Sequence, residues 1–259
     1  MAITAKDVQQ LRKATGAGMM DAKKALTEAD GDFEAAVQVL REKGLAKAAK
    51  STDRDNSEGL VAVASNDSGA ALVHLKSETD FAAKSDDFRK LMDELAELVL
   101  EKGPEAVAEK TAQIEDIKVT LKENIDFGTV TRFDAADGAV IDAYLHGGGR
   151  SGVLIEGTGV SPEVLHEVAM HVAFAKPTFL SRDEVPADEV EKERAALLEI
   201  TKNEGKPEAA WPKIVEGRLN SWFGERVLLE QGVFGDKETV KAKIGDGTIT
   251  RFVMAEVGG

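Results

Sequence analysis

The residues whose types and spacing could do the most are Ser77-Glu78-Thr79-Asp80-Phe81-Ala82-Ala83-Lys84. They stand where the apolar run Ala70-Ala71-Leu72-Val73-His74-Leu75 gives way to a strongly periodic stretch beginning near Ser85. An acid and a large aromatic are therefore neighbours in a short strand-to-helix connection, where a polar turn seldom exposes a Phe. Two readings fit. In one, Thr79 or Asp80 caps a short helix and Phe81 staples it to the core. In the other, Phe81 is an exposed wedge that enters a partner's hydrophobic seam while Asp80 fixes its direction.

The other places where chemistry could sit are weaker. His146-Gly147-Gly148-Gly149 matches the glycine-rich oxyanion turn of some esterases, which would make the chain a hydrolase. No G-x-S-x-G elbow accompanies it, and the glycines join two strand-like runs, as an open hairpin tip would. No G-x-x-x-x-G-K-[ST] loop is present to cradle phosphates. Of the four histidines, His74, His146, His166 and His171, the last two are five apart and fall on different faces of a helix, so the i, i+4 zinc pair is missing. Zero cysteines exclude disulfides, thiolate metal sites and a Cys nucleophile, and fit a cytoplasmic protein. Neither a bound metal nor a cofactor is expected, and no catalytic residue is assigned.

The chain has 259 residues and a net charge of −14, unevenly spread. Residues 1–50 carry nine Lys/Arg against seven Asp/Glu, and the remainder is strongly acidic. Nucleic acid requires a cationic surface, so an acidic body argues against direct DNA or RNA binding. No apolar run is long enough to span a bilayer, and the first six residues do not form a signal peptide, so no membrane association is expected. The slightly basic head suits an acidic protein partner, or is simply a solvated charged face.

Three short helices are predicted in that head. Thr4 and Asp7 form a capping box before Val8 and Leu11, and Thr15-Gly16-Ala17-Gly18 breaks the first helix. Met19, Ala22, Ala25 and Leu26 share one face of the second. Asp32 caps the third, with Phe33, Ala36, Val37 and Leu40 at helical spacing, and Gly44 is expected to stop it. The result resembles a ubiquitin-associated bundle over residues 1–50. An Ala/Lys tail then leads into a flexible linker at residues 51–58.

A unit of two strands and a helix then appears twice, giving an α+β fold of two related subdomains at 59–137 and 138–259, each with helices on one face of an antiparallel sheet. In the first, Gly59–Ala64 and Ala70–Leu75 form a hairpin, and Phe88, Leu91, Met92, Leu95, Leu98 and Val99 mark the helix. In the second, Gly138–Leu145 and Ser151–Glu156 pair, followed by a helix from Ser161-Pro162 that ends at Pro177. A helical hairpin projects at about 187–226. Trp211 and Trp222, 11 apart, lie about 20° from each other on its wheel, on a seam that is either internal or a docking surface. Thr250–Val257 alternates like a strand that returns to the second sheet.

Leu11-Arg12-Lys13-Ala14-Thr15-Gly16-Ala17-Gly18-Met19-Met20-Asp21-Ala22-Lys23-Lys24-Ala25-Leu26 resembles the N-terminal signature of the bacterial elongation factor Ts family. Glu78-Thr79-Asp80-Phe81 with Lys84 resembles its second signature. Tyr144–Arg150, Ala169–Ala173 with Lys176-Pro177, and Val215–Arg218 follow in the family's order, so the resemblance spans nearly the whole chain. It implies a non-enzymatic translation factor that binds elongation factor Tu, GDP-bound and nucleotide-free, and exchanges GDP for GTP. Thr79, Asp80, Phe81 and Ala82 would dislodge Mg2+ from that partner, although Ala82 stands where the family often has Val. Arg12, Thr15, Gly16, Met19, Met20 and Lys23 would dock the head on the GTPase domain. His146, Gly147, Gly148 and Arg150 would lie near the nucleotide-binding face. The resemblance further implies that the helical hairpin at about 187–226, with Trp211 and Trp222, could mediate self-association as in some relatives, which leaves a homodimer open. A non-exchanging adaptor that binds through the head is the competing reading.

Overall fold

A computed structural model describes residues 3–15, 17–49 and 54–259. Gly16, expected in the head's docking set, and linker residues 51–53 lie outside them. The chain divides into two compact units, one of residues 1–64, 71–132 and 255–259, the other of residues 65–70 and 133–254.

The first unit opens with helices α1 (Ala5–Thr15), α2 (Met19–Glu28) and α3 (Phe33–Ala49). The capping box forms as expected: the Thr4 N–H donates to Asp7 Oδ2 at 2.8 Å and the Asp7 N–H to Thr4 Oγ1 at 3.3 Å. Asp32 accepts the Ala35 N–H at 2.9 Å and so caps α3. Val8, Leu11, Ala22, Ala25, Leu26 and Ala36 form the small core. Two expectations fail here. Met19 does not share the inward face of α2, because it sits on the first turn and points to solvent. Gly44 does not end its helix, since α3 continues to Ala49. Its missing side chain serves packing instead: a Cβ there would lie 2.4 Å from Val119 Cγ1.

Strands β1 (Glu58–Asn66) and β2 (Gly69–Ser77) form the expected hairpin. The one-turn helix α4 (Asp80–Ala83), α5 (Asp86–Lys102), a 3-10 turn at Pro104–Lys110 and α6 (Thr111–Leu121) follow. Strand β3 (Asp126–Asp134) completes a sheet in the order β1-β2-β3. Ser85 caps α5 by accepting the Phe88 N–H at 3.4 Å, and Gly103, at φ 96°, ends it. Phe88, Leu91, Met92, Leu95 and Val99 pack on Val73 and Leu75 of β2. This strand is buried on both faces, so Leu72 and His74 are also enclosed.

His74 carries a consequence for pH. Its Nε2 is buried without a hydrogen-bond partner, and a Cβ at Gly128 of β3 would lie 2.5 Å from its Nδ1. Burial, aided by the Lys76 charge, pushes the imidazole down from 6.5 to about 4. The ring is therefore neutral in the fold and protonates more readily unfolded. Its stabilising contribution is complete above pH 6.5 and is lost as pH falls towards 4, a drop of about 3 kcal/mol at most. Denaturant titrations from pH 7 to pH 4 should show this loss, and His74→Leu should remove that part of the slope. An unchanged slope in His74→Leu would exclude the ring as its source.

In the second unit, β4 (Ala139–His146) and β5 (Ser151–Thr158) pair antiparallel from Ala139 opposite Thr158 to His146 opposite Ser151. Helices α7 (Pro162–Ala175), α8 (Ala187–Asn203), α9 (Trp211–Arg226) and α10 (Val240–Ile244) follow, then β6 (Thr248–Glu256), in a sheet ordered β4-β5-β6. The C-terminal strand thus returns to the second sheet. Val153, Ile155, Leu165, Val168 and Val172 centre the core. The α8–α9 seam closes on itself, with Val190 and Leu197 of α8 packed against the cluster that Leu219 and Phe223 of α9 form with flanking Val185 and Val227, and Trp222 against them too. Trp211 does not share that cluster. Its Nε1 donates to Lys206 O at 2.8 Å and ties down the hairpin turn.

Candidate functional site

Thr79 leaves β2 with extended backbone and caps α4, its Oγ1 accepting the Ala82 N–H at 3.3 Å. Asp80 opens the helix, where a carboxylate favours the N-terminal end of the dipole. Lys84, one turn on, donates to Asp80 Oδ2 at 2.6 Å. That bond and the lysine's charge hold the Asp80 carboxyl below its ordinary range. Ala82 and Ala83 are buried and seat the turn on the body. At about 100° per residue, Phe81 points about 150° away from their mean direction. The residue is 82% exposed.

The reading of Thr79 or Asp80 as a cap therefore holds, and that of Phe81 as a staple does not. A staple joins the residue before the cap to the fourth helical residue, here Glu78 and Ala83, and Phe81 occupies neither place. Phe81 is instead a large ring standing in water on a turn braced at both ends.

The other expected residues fall on two further elements. Met19 and Met20 open α2 with 53% and 63% of their surface exposed, and Arg12 and Lys23 are exposed on α1 and α2. Thr15 is half-buried and donates to Leu11 O at 2.7 Å, ending α1. This head set and the Thr79–Ala82 turn belong to the same compact unit, whereas the hairpin set belongs to the other. There His146 is the last residue of β4 rather than part of the turn. Its Nδ1 shares a 2.8 Å hydrogen bond with the Tyr144 hydroxyl. Gly147, Gly148 and Gly149 have φ of 59°, 64° and 98°, a left-handed run that side chains would strain. Arg150 is exposed at its end.

Sequence reasoning missed one exposed aromatic pair. Phe174 of α7 and Phe234 are both exposed, with ring centroids 5.8 Å apart. Phe234 has a φ of 52°, and its N–H donates to Nδ1 of buried His171 at 3.1 Å. The opposite ring nitrogen, Nε2, must then carry the proton and donate to Gln231 Oε1 at 3.0 Å. Phe174 could have been suspected from its outward phase on α7. Nothing local marks Phe234, whose placement depends on contacts 60 or so positions away.

Two comparisons bear on these surfaces. The family profile described as "Elongation factor TS" matches residues 78–259. An elongation factor Ts of Cutibacterium acnes is 43% identical over 277 aligned positions, covering 100% of both chains. The chain belongs to the elongation factor Ts family. The elongation factor Ts of Clavibacter michiganensis subsp. michiganensis is 42% identical, with 98% of each chain covered. As an elongation factor Ts, the chain is a nucleotide exchange factor for elongation factor Tu and not a catalytic enzyme. The hydrolase reading is thereby set aside, in keeping with a Gly147–Gly149 run that serves a hairpin turn. Among the described residues no helix is long and apolar enough to cross a membrane.

Proposed function

We propose that exchange is driven by Phe81 entering an apolar seam of the partner's GTPase domain, while Asp80 fixes the angle of entry and Thr79 and Ala82 form the turn that carries it. The observation behind this reading is that Phe81 is 82% exposed on a capped and salt-bridged turn. Mg2+ demands near-octahedral coordination, so shifting its supports by about an ångström weakens both the ion and the GDP it bridges. Binding is reciprocal: whatever this protein costs GDP in affinity, GDP costs this protein equally.

The head, residues 1–50, supplies docking affinity through Met19 and Met20, with Arg12, Thr15, Gly16 and Lys23 around them. It is tethered by residues 51–58 to the two subdomains at 59–137 and 138–259. The His146–Arg150 hairpin approaches the nucleotide-binding face, where the bare backbone of Gly147 and Gly148 permits close contact. Phe174 and Phe234 give the second unit an apolar contact of its own for another domain of the partner. Both GDP-bound and nucleotide-free elongation factor Tu are bound, in the cytoplasm. Self-association through the α8–α9 hairpin would have to use Ile200, the exposed large aliphatic on those helices, because the hairpin's main seam is filled by its own chain.

The full chain should accelerate release of a fluorescent GDP from elongation factor Tu at millimolar Mg2+. That acceleration should shrink when Mg2+ is chelated beforehand, since the ion to be displaced is already gone. Equal acceleration in both conditions would remove the metal from the mechanism, and no acceleration in either would remove the mechanism.

A further inference from the structure

The turn carrying Phe81 is tied to the segment before β3 by two glutamates that reach across in opposite directions. Glu123 Oε2 accepts the backbone N–H groups of Glu78 and Thr79, both at 3.1 Å, and its other oxygen accepts the Thr79 hydroxyl. In return, Glu78 Oε1 accepts the Asn124 N–H, and its Oε2 pairs with Arg54 Nη1 at 3.1 Å. The Asn124 side-chain amide donates to Arg54 O at 2.8 Å, which draws residue 54 into the same knot.

The Thr79 hydroxyl is the link that matters. It has one proton and two lone pairs. The hydroxyl donates its hydrogen bond to Glu123, and this directs a lone pair at the Ala82 N–H, the bond that caps α4. The two backbone N–H groups held by Glu123 lie between the end of β2 and the start of α4. Glu123 therefore fixes the entry of the chain into the turn, its cap, and through these the direction of Phe81.

We infer that Glu123, supported by Glu78, is a positioning residue for nucleotide exchange: it sets the Thr79–Ala82 turn before the partner arrives, so that the ring is presented without an ordering cost on binding. The inference rests on the reading of Phe81 as the wedge. It concerns the ring's presentation, so it should appear in the rate at saturation and not in docking, which the head supplies.

The test uses full-length protein and elongation factor Tu loaded with fluorescent GDP, with release followed against exchange-factor concentration. Glu123→Ala should lower the saturating rate about tenfold and move the half-saturating concentration less than about threefold. Glu123→Gln should recover only part of the rate, because its amide oxygen can still accept both N–H groups while its NH2 cannot accept the Thr79 hydroxyl. In a Phe81→Ala background, Glu123→Ala should have almost no further effect, since the group it positions is gone. A full saturating rate for Glu123→Ala, or an equal loss in the Phe81→Ala background, would overturn the inference. If Glu123→Ala fails to fold, Thr79→Val must show the same loss, because it removes the hydroxyl linking Glu123 to the cap; Thr79→Val at full rate would overturn the inference too. Slow Phe81→Ala beside fast Glu123→Ala defeats the latch alone, whereas Phe81→Ala at full rate defeats the wedge and the latch with it.

Discussion

Phe81→Ala should slow GDP release from elongation factor Tu by about 30-fold or more while leaving the melting temperature almost unchanged. The size follows from truncating a central aromatic anchor, about 2 kcal/mol or more at a binding hot spot, with each 1.4 kcal/mol worth a factor of ten. The unchanged stability follows from exposure. Phe81 is 82% exposed, so removing its ring takes little from the folded state, within about 0.5 kcal/mol for a surface site. Stopped-flow release and a thermal melt on one preparation decide the matter. A large fall in melting temperature with normal release would assign the ring to structure and end the wedge reading. Lys84→Ala, which removes the brace on Asp80, belongs in the same series as a milder perturbation of the same turn.

Phe88→Ala should do the reverse. Seven residues downstream, this ring is wholly buried among Leu91, Met92, Leu95 and β2. Truncation leaves a cavity beside the lost transfer energy, about 3–5 kcal/mol together. Urea unfolding should show this as a lower midpoint at similar slope. The protein that remains folded should still present Phe81 and release GDP at close to the normal saturating rate. If Phe88→Ala proved as stable as the parent, the described packing of α5 on the first sheet would be wrong. The two substitutions are chemically identical, and the opposite outcomes come only from which way each ring faces.

Much of the architecture was legible in the residues themselves. The Thr4–Asp7 box and Asp32 cap their helices as the spacing requires, and Ser85 and Ser161, read only as helix starts, prove to cap α5 and α7. β-rich apolar runs and the turns between them located both hairpins, and the α5 and α7 stripes fall mostly on buried positions, with Leu98, Val164 and Ala173 half-buried. Local rules suffice where the partner group lies within about four residues.

Gly44 shows where they stop. Read locally, a glycine after a helical run is a cap, yet its real constraint is Val119, 75 positions on. The same holds for Met19, which fits an inward stripe but occupies a first turn that the small core leaves uncovered.

Residue types and spacing alone were enough for the family, both hairpins, the main helices, and a turn opened by Thr79 or Asp80 beside an aromatic, but not for the place of β3 in the first sheet or for α10. Only the tertiary structure decided that Phe81 stands outward, because its direction depends on Ala82 and Ala83 being seated on the body and on Glu123 reaching back 44 residues to hold Thr79. Neither condition is encoded in local periodicity, since both are contacts between segments that meet only when the chain folds.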